Sequence, residues 1–438
     1  MLDIAFIRTH RDRVSEIARQ KKVDVDIDLL LKMDEERVTL LKEIEELRSL
    51  KNDLNELIQK AADDTEKKEI IDKGKEIKSK LDEKETAYVI VKEHFDTLML
   101  LVPNVVSPDT PIGPDESGNK VIRKEGVLRK FDFTPKEHFE LGKALGFIDT
   151  ETAAKTSGSR FAYLKGDLAL LQFALVQYTL GVLTNEETLK EIIKKANLEI
   201  SSKPFIPVIP PVFVRPEVMS KMARLEPKDE RYHIESDDLY LVGSAEHTLG
   251  PIHMGETLAE QDLPVRYVGY STAFRREAGS YGKDMKGILR LHQFDKLEME
   301  SFALPETAVA EQDFIVAIQE HLLQGLEIPY RVVAICTGDM GKPDVRQLDI
   351  ECFLPGQGKY RETHTSDLMG DYQARRLETK VRRTSGVTEF VHMNDATAFA
   401  IGRAIIAIIE NYQEEDGSIR VPKALQAYMG KEQMTAKV

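Results

Sequence analysis

From Asp28 the chain sets apolar side chains at Met33, Leu40, Ile44, Leu47, Leu54, Ile58 and Ala61, with Arg37 and Lys51 the only breaks in the repeat. After the polar turn Ala62-Asp63-Asp64-Thr65, the same spacing returns at Ile70, Ile77, Leu81, Tyr88, Val91, Phe95 and Leu98. Steps of three, four and seven keep one helical face apolar, so the pattern predicts two long helices paired as an antiparallel coiled-coil hairpin. At 1.5 Å of rise per residue each helix reaches roughly 50 Å. A shorter helical lead-in over residues 1 to about 27 precedes them, so residues 1–100 form an N-terminal domain. Such a hairpin serves either as a dimerisation or spacer coil, or as an arm that touches a large partner. For the arm, the tip offers Lys67, Lys68, Lys73, Lys75, Lys78 and Lys80.

The pattern changes after Leu101. Pro103, Pro108, Pro111, Gly113, Pro114 and Gly118 punctuate residues 101–126, which read as a linker. Beyond it, over residues 127–438, helical periodicity at 135–145, 166–180 and 186–196 mixes with β-rich runs at 206–209, 240–242, 331–335 and 347–353. Strands and helices do not alternate regularly, and neither GxGxxG nor GxxxxGK[ST] occurs, which argues against Rossmann and P-loop domains. The fold class expected is α+β, an antiparallel sheet flanked by helices.

The most informative stretch of this domain is Val268 to Glu300. It reads as two strands, Tyr267 to Arg276 and Leu289 to Phe302, joined by a charged loop holding Gly279, Gly282 and Gly287. In the second strand Leu291, Gln293, Asp295, Leu297 and Met299 follow a period of two. Arg275 and Glu277, two apart, share one side of a strand, as do Phe294 and Glu298. A guanidinium fork, two carboxylates and an aromatic ring on one surface suit a nucleotide and an amino acid. The same residues also fit a surface strand with weak ion pairs.

Three further runs carry candidate chemistry. In Tyr360 to Asp367, Glu362 and Thr365 offer the hard oxygen ligands that Mg²⁺ accepts beside phosphates and water, although a polar loop reads similarly. From Phe390 to Arg403, small residues at Ala396, Ala398, Ala400 and Gly402 precede the apolar run AIIAIIENYQ, a helix that must be buried. Arg403 at its head needs an anion, which is a carboxylate partner or a triphosphate tail. The proline-rich segment 205–211 is confined to a sheet edge or a subunit contact.

Composition narrows the field further. Sixty-one basic against 75 acidic residues give a net charge of −14, so a nucleic-acid partner must meet local basic patches. The two cysteines, Cys336 and Cys352, fit a reducing compartment. The start MLDIAFIRTH has no signal-peptide core, and no apolar run approaches the ~18 residues of a membrane span. A cytoplasmic protein is expected.

In order along the chain, Pro210-Pro211 in an extended strand, Phe274-Arg275-Arg276-Glu277 with its charged loop, and Gly402-Arg403 opening an apolar helix resemble motifs 1, 2 and 3 of class II aminoacyl-tRNA synthetases. The resemblance narrows to the seryl-tRNA synthetase family, in its bacterial form, and spans essentially the whole chain. Supporting runs are MLDIAFIR, the coiled-coil hairpin, 157–161 (SGSRF), 336–341 (CTGDMG), 354–357 (LPGQ), 372–376 (YQARR) and 421–425 (VPKAL). The resemblance implies ATP-dependent activation of L-serine to seryl-adenylate, then transfer to the 3′ end of tRNA(Ser), with tRNA(Sec) a further candidate.

By position, Arg275 and Arg403 take the catalytic roles, on the α-phosphate with the serine carboxylate and on the γ-phosphate. Arg276, Glu277, Phe294, Glu362, Thr363, His364 and Thr365 complete the ATP site, with Phe294 on adenine and Glu362 and Thr365 at Mg²⁺. The serine pocket is Ser244, Ala245, Glu246, Arg275, Glu298, Asp395 and Thr397. The family further implies a homodimer, tRNA contact through the arm and the loop from Ala278 to Leu291, no zinc and no membrane.

Three departures from the family pattern stand out. Ser244-Ala245-Glu246 replaces Thr-x-Glu, which keeps the hydroxyl. Asp395-Ala396-Thr397 replaces Asn-Gly-(Ser/Thr), which adds a carboxylate near Glu298 that could raise a pKa or alter amino-acid preference. Residues 366–371 (SDLMGD) replace Cys-Ser-Asn-Cys-Thr-Asp, changing polar groups around the pocket. Competing readings are a relative with altered amino-acid specificity, one that loads a carrier protein, and a degenerate tRNA-binding paralogue.

Overall fold

The structure, a computed structural model, describes residues 1–278, 284 and 286–436. The chain folds into two compact units, Met1–Pro103 and Asn104–Val438.

In the first unit, short helices Ile4–Thr9 and Arg11–Gln20 lead into Ile27–Lys60 and Asp64–Leu101. Asp26 and Asp63 cap the two long helices, their carboxylates accepting from the N–H groups of Leu29 and of Thr65 and Glu66. The second helix therefore starts at Asp64, inside the expected turn. Leu40 and Ile44 are buried on one helix and Leu81 and Val91 on the other. Farther along the first long helix the seam residues Leu47, Leu54 and Ile58 are only half-buried, so the seam is driest toward the base. Arg48 reaches Glu85 and Lys84 reaches Glu43, each at 2.7 Å, pinning the antiparallel register from the rims.

The sequence pattern is corrected at the base of the hairpin. Asp34 rather than Met33 is fully buried, accepting from Arg8 Nε at 2.6 Å and Arg37 Nη2 at 2.8 Å. Arg37, the first break in the repeat, lies 4.7 Å from the Phe95 ring centroid. Its stem and cation-bearing plane cover apolar surface there.

The second unit is built, among the described residues, on an eight-stranded sheet. In spatial order its strands are Lys120–Glu125, Tyr330–Ala334, Arg346–Leu354, Lys359–Gly370, His392–Ala400, Gln293–Ala303, Val265–Phe274 and Ile206–Val208. All neighbours are antiparallel except the last pair. The proline-bearing strand Ile206–Val208 sits at an edge, where a missing N–H costs no ladder bond.

The expected linker is not one. Lys120–Glu125 is the opposite edge strand, and buried Asn104 donates from Nδ2 to Pro343 O at 2.9 Å and Met369 O at 2.8 Å. Helix Ile401–Asn411 buries Ile405, Ile406, Ile408 and Ile409, as its apolar run requires. On helix Ala308–Gly325, Gln319 Nε2 donates to Thr365 O at 2.9 Å and Thr397 O at 2.8 Å. Those carbonyls lie beside interruptions in the ladder, where backbone acceptors need a side-chain donor.

Candidate functional site

Two β-bulges decide which side chains meet. On a regular strand Glu362 and Thr365, three apart, would face opposite ways. In the ladder Asp349 pairs with Thr365 and Glu351 with Glu362, leaving Thr363 as the extra residue and turning Glu362 onto the Thr365 face. Likewise Glu298 pairs with Thr397 and Lys296 with Ala400, across a register shift that leaves Ala398 extra. Thr397 and Asp395 thereby face the same side as Lys296, Glu298 and Glu300.

One pocket follows from this register. Arg275, Phe294, Glu362, Thr365 and Arg403 line it with Glu246, Glu298, Asp395 and Thr397. Glu277 and Thr363 also reach its wall. The strand Val265–Phe274 ends one residue before Arg275, so Arg275 and Glu277 are not alternate strand residues as the sequence suggested. Arg275 is placed instead by its Nε donating to Gly243 O at 2.9 Å and by its guanidinium 5.5 Å from the Phe294 centroid. Glu277, at φ 52°, turns toward Arg290, whose Nη1 donates to it at 3.0 Å.

Four expected site residues lie off the pocket wall. Arg276 stands with its guanidinium 5.7 Å from the Tyr232 centroid, its N–H bonded to Glu230 O. His364 is buried with Phe399, its ring 2.8 Å from Thr363 Oγ1, and burial lowers its pKa to about 3. Ala245 is buried beneath the wall. Ser244 acts indirectly, its Oγ donating to Glu298 Oε1 at 2.9 Å.

The pocket has two chemically distinct ends. At one, Glu298 Oε1 also accepts from Thr397 Oγ1 at 3.3 Å, and Lys296 Nζ pairs with it. Glu298 Oε2 is buried without a hydrogen-bond partner among the described residues, which leaves an acceptor for an ammonium or hydroxyl. Burial pushes the Glu298 carboxyl up. Burial would do the same to Glu246, but Arg224 and Lys296 outweigh it and hold Glu246 at about 2.

At the other end Arg403 Nη1 donates to Glu362 Oε1 at 2.8 Å. The Glu362 side chain is half exposed, and the Arg403 guanidinium beside it lowers its pKa, so this carboxylate is ionised at neutral pH. Among the described residues no three His, Cys, Asp or Glu side chains are grouped to hold a metal by themselves. A carboxylate and a hydroxyl beside a cationic fork do fit a hard cation shared with phosphate oxygens.

The loop expected from Ala278 to Leu291 lies partly outside the described residues, at 279–283 and 285. Its C-terminal end is fixed, since buried His138 accepts at Nε2 from the Ile288 N–H at 3.2 Å. Gly287 must be glycine there. It has φ 77°, and a Cβ would lie 2.0 Å from that nitrogen.

Sequence reasoning passed over Lys296 and Arg224, both on the pocket wall. Lys296 carried a signal, standing two residues from each of Phe294 and Glu298. Arg224 carried none, because residues 221–229 have no periodicity.

Asp395 tests the electrostatics directly. It is 2% exposed, and burial raises its pKa to about 8, with Glu246 adding to the effect and Arg224 opposing it. Asp367 and Glu300 are raised as well, chiefly by burial. A folded-state pKa above the unfolded value of about 3.9 means folding favours the protonated form. The stabilising contribution is then complete below about pH 4 and is lost as pH rises through about 8. The melting temperature is expected to fall between pH 6 and pH 8.5, with a shallower fall in Asp395→Asn. Thermal denaturation across that range measures it, and equal slopes would contradict the assignment.

Comparison with known proteins adds the following. Residues 1–106 match the family described as "Seryl-tRNA synthetase N-terminal domain". Residues 230–412 match "tRNA synthetase class II core domain (G, H, P, S and T)". The chain is 38% identical over 435 residues to the serine–tRNA ligase of Dictyoglomus turgidum, covering 98% of each chain. It is 36% identical to that of Rubrobacter xylanophilus, over 99% of this chain and 98% of the other. Among solved structures it is similar to seryl-tRNA synthetase from Pyrococcus horikoshii complexed with ATP, at TM-score 0.88 and 37% identity with 100% of both chains covered. It is also similar to the cytoplasmic serine–tRNA ligase of Naegleria fowleri in complex with AMP, at TM-score 0.84 and 28% identity, covering 100% and 99%.

Proposed function

The chain belongs to the seryl-tRNA synthetases, a family of ATP-using aminoacyl-tRNA ligases, and we propose the following division of labour among its residues. L-Serine and ATP bind in the one pocket described above. A serine carboxylate oxygen attacks the α-phosphorus, the bond to pyrophosphate breaks, and seryl-adenylate remains. The terminal ribose hydroxyl of tRNA(Ser) then attacks the seryl carbonyl, releasing AMP.

The observation that carries this reading is the two-ended pocket. It has cations and an aromatic ring at one end, carboxylates with an unfilled acceptor at the other, and Arg275 between them. Arg275 holds the α-phosphate and the serine carboxylate together, which is catalysis by position and by charge rather than through a covalent protein group. Phe294 stacks on adenine and Arg403 meets the γ-phosphate. Glu298, oriented by Ser244, Thr397 and Lys296, takes the α-ammonium or hydroxyl with Glu246. Glu362 and Thr365 hold Mg²⁺, which neutralises phosphate charge when bound. Arg276 and His364 reach ATP only indirectly from their present positions.

The hairpin and the loop from Ala278 contact the tRNA, and tRNA(Sec) is a second substrate to test. The proline-bearing edge strand joins two copies into a homodimer, and the protein works in the cytoplasm. Among the described residues no single helix is long and apolar enough to cross a membrane. ATP–pyrophosphate exchange measured with each of the common amino acids tests the assignment. Exchange is expected with serine above all others. Exchange with a different amino acid and not with serine overturns the substrate, and none with any overturns the activity.

A further inference from the structure

Two of the departures from the family pattern, at Asp367 and Asp395, meet on one residue that the sequence did not single out. Arg224 places Nη2 at 2.9 Å from Asp395 Oδ2 and 3.6 Å from Asp367 Oδ2. Its Nε lies 3.1 Å from Glu246 Oε1. The three carboxylates come from three separate elements, the short helix Glu246–Leu249 and the strands Lys359–Gly370 and His392–Ala400.

The backbone that presents this guanidinium is tied down from several sides. Gln373 Nε2 donates to Met222 O at 2.9 Å, Arg231 Nε to Arg224 O at 3.0 Å, and Arg376 Nη1 to Ser220 O at 3.3 Å. Ala223 is held at φ 57°. Arg224 is thus a fixed part of the wall that Glu246, Glu298 and Thr397 also line.

We propose that Arg224 is a specificity-determining residue of the amino-acid subsite. By bridging Glu246 and Asp395 it fixes the subsite's depth and offsets the charge of the Glu246 carboxylate, so that a small uncharged side chain is selected. The planar fork is what the bridge requires, because one ammonium cannot span carboxylates from separate elements with the same geometry. Without Arg224 the subsite becomes deeper and more anionic. It then admits the extra methyl of threonine and favours a small cationic side chain such as that of 2,3-diaminopropionate. The inference rests on the serine reading given above.

The test is amino-acid-dependent ATP–pyrophosphate exchange by the full-length protein and its Arg224→Ala, Arg224→Lys and Arg224→Gln/Asp395→Asn variants, with serine, threonine and 2,3-diaminopropionate. For Arg224→Ala the KM for serine is expected to rise and the preference for serine over threonine to fall, each by about tenfold or more. The KM for ATP stays near that of the parent, and exchange with 2,3-diaminopropionate becomes measurable. Arg224→Lys lies between parent and alanine. The double variant replaces the Arg224–Asp395 contact by two neutral amides and recovers part of the serine KM.

Should the alanine variant not fold, as its melting curve would reveal, the lysine and double variants decide. An unchanged serine-to-threonine preference in the folded variants overturns the proposal, as does equal loss with every amino acid alongside a raised KM for ATP. If the parent protein itself shows no exchange with serine, the serine reading fails; if the parent exchanges normally and the preference does not move, only the role of Arg224 fails.

Discussion

Arg275→Ala is expected to lower serine-dependent ATP–pyrophosphate exchange by about 10²–10³-fold or more, the loss seen when a preorganised charge-stabilising group is removed. The guanidinium is preorganised by its bond to Gly243 O and by the Phe294 ring beneath it. Its place between the carboxylate end and the Arg403 end of the pocket is where a phosphate and a carboxylate must be brought together. Both reactants are anionic, so without Arg275 they repel each other as they approach. The loss is therefore expected as a lower kcat together with higher KM values for both serine and ATP. Arg275→Lys restores the charge without the planar fork and is expected to recover only part of the rate. Initial-rate exchange measurements at saturating and limiting serine separate the two contributions. A loss confined to the serine KM would mean that Arg275 binds substrate without stabilising the transition state.

Removing residues 28–98, with the cut ends joined by a short flexible linker, is expected to abolish tRNA charging while sparing adenylate formation. Every pocket-lining side chain belongs to the unit Asn104–Val438, as do the residues of the large apolar cluster around its sheet. The hairpin carries Lys67, Lys68, Lys73, Lys78 and Lys80 exposed near its tip. Phosphate contacts from such residues supply affinity that weakens with added salt. Exchange and charging assays on the same preparation make the comparison. Equal loss of both activities would contradict the separation of roles.

What the sequence discloses here follows from the range over which each cause acts. The hairpin was legible because its seam repeats over many turns, and the buried helix Ile401–Asn411 because its apolar run admits no other fate. Arg37 looked like a defect in the seam, yet its guanidinium lies over Phe95. Sheet register was not legible, since a bulge is one extra residue opposite a partner far away in the chain. That is why Glu362 joins Thr365 on one face despite odd spacing, and why His364 turns into the core. Residues 101–126 read as a linker from their prolines, yet Lys120–Glu125 gains a partner in Tyr330–Ala334, far along the chain. Arg224 is the extreme case. Its meaning lies wholly in Glu246, Asp367 and Asp395, none of which is near it in sequence.

The central claim is that this pocket joins serine to tRNA. It is tested most directly by incubating the protein with ATP, Mg²⁺, tRNA(Ser) and an equimolar mixture of the common amino acids, then identifying by mass the acyl group on the tRNA 3′ end. A seryl ester on the terminal adenosine is the predicted result. A different aminoacyl ester, or uncharged tRNA beside a protein that forms an adenylate, would contradict it.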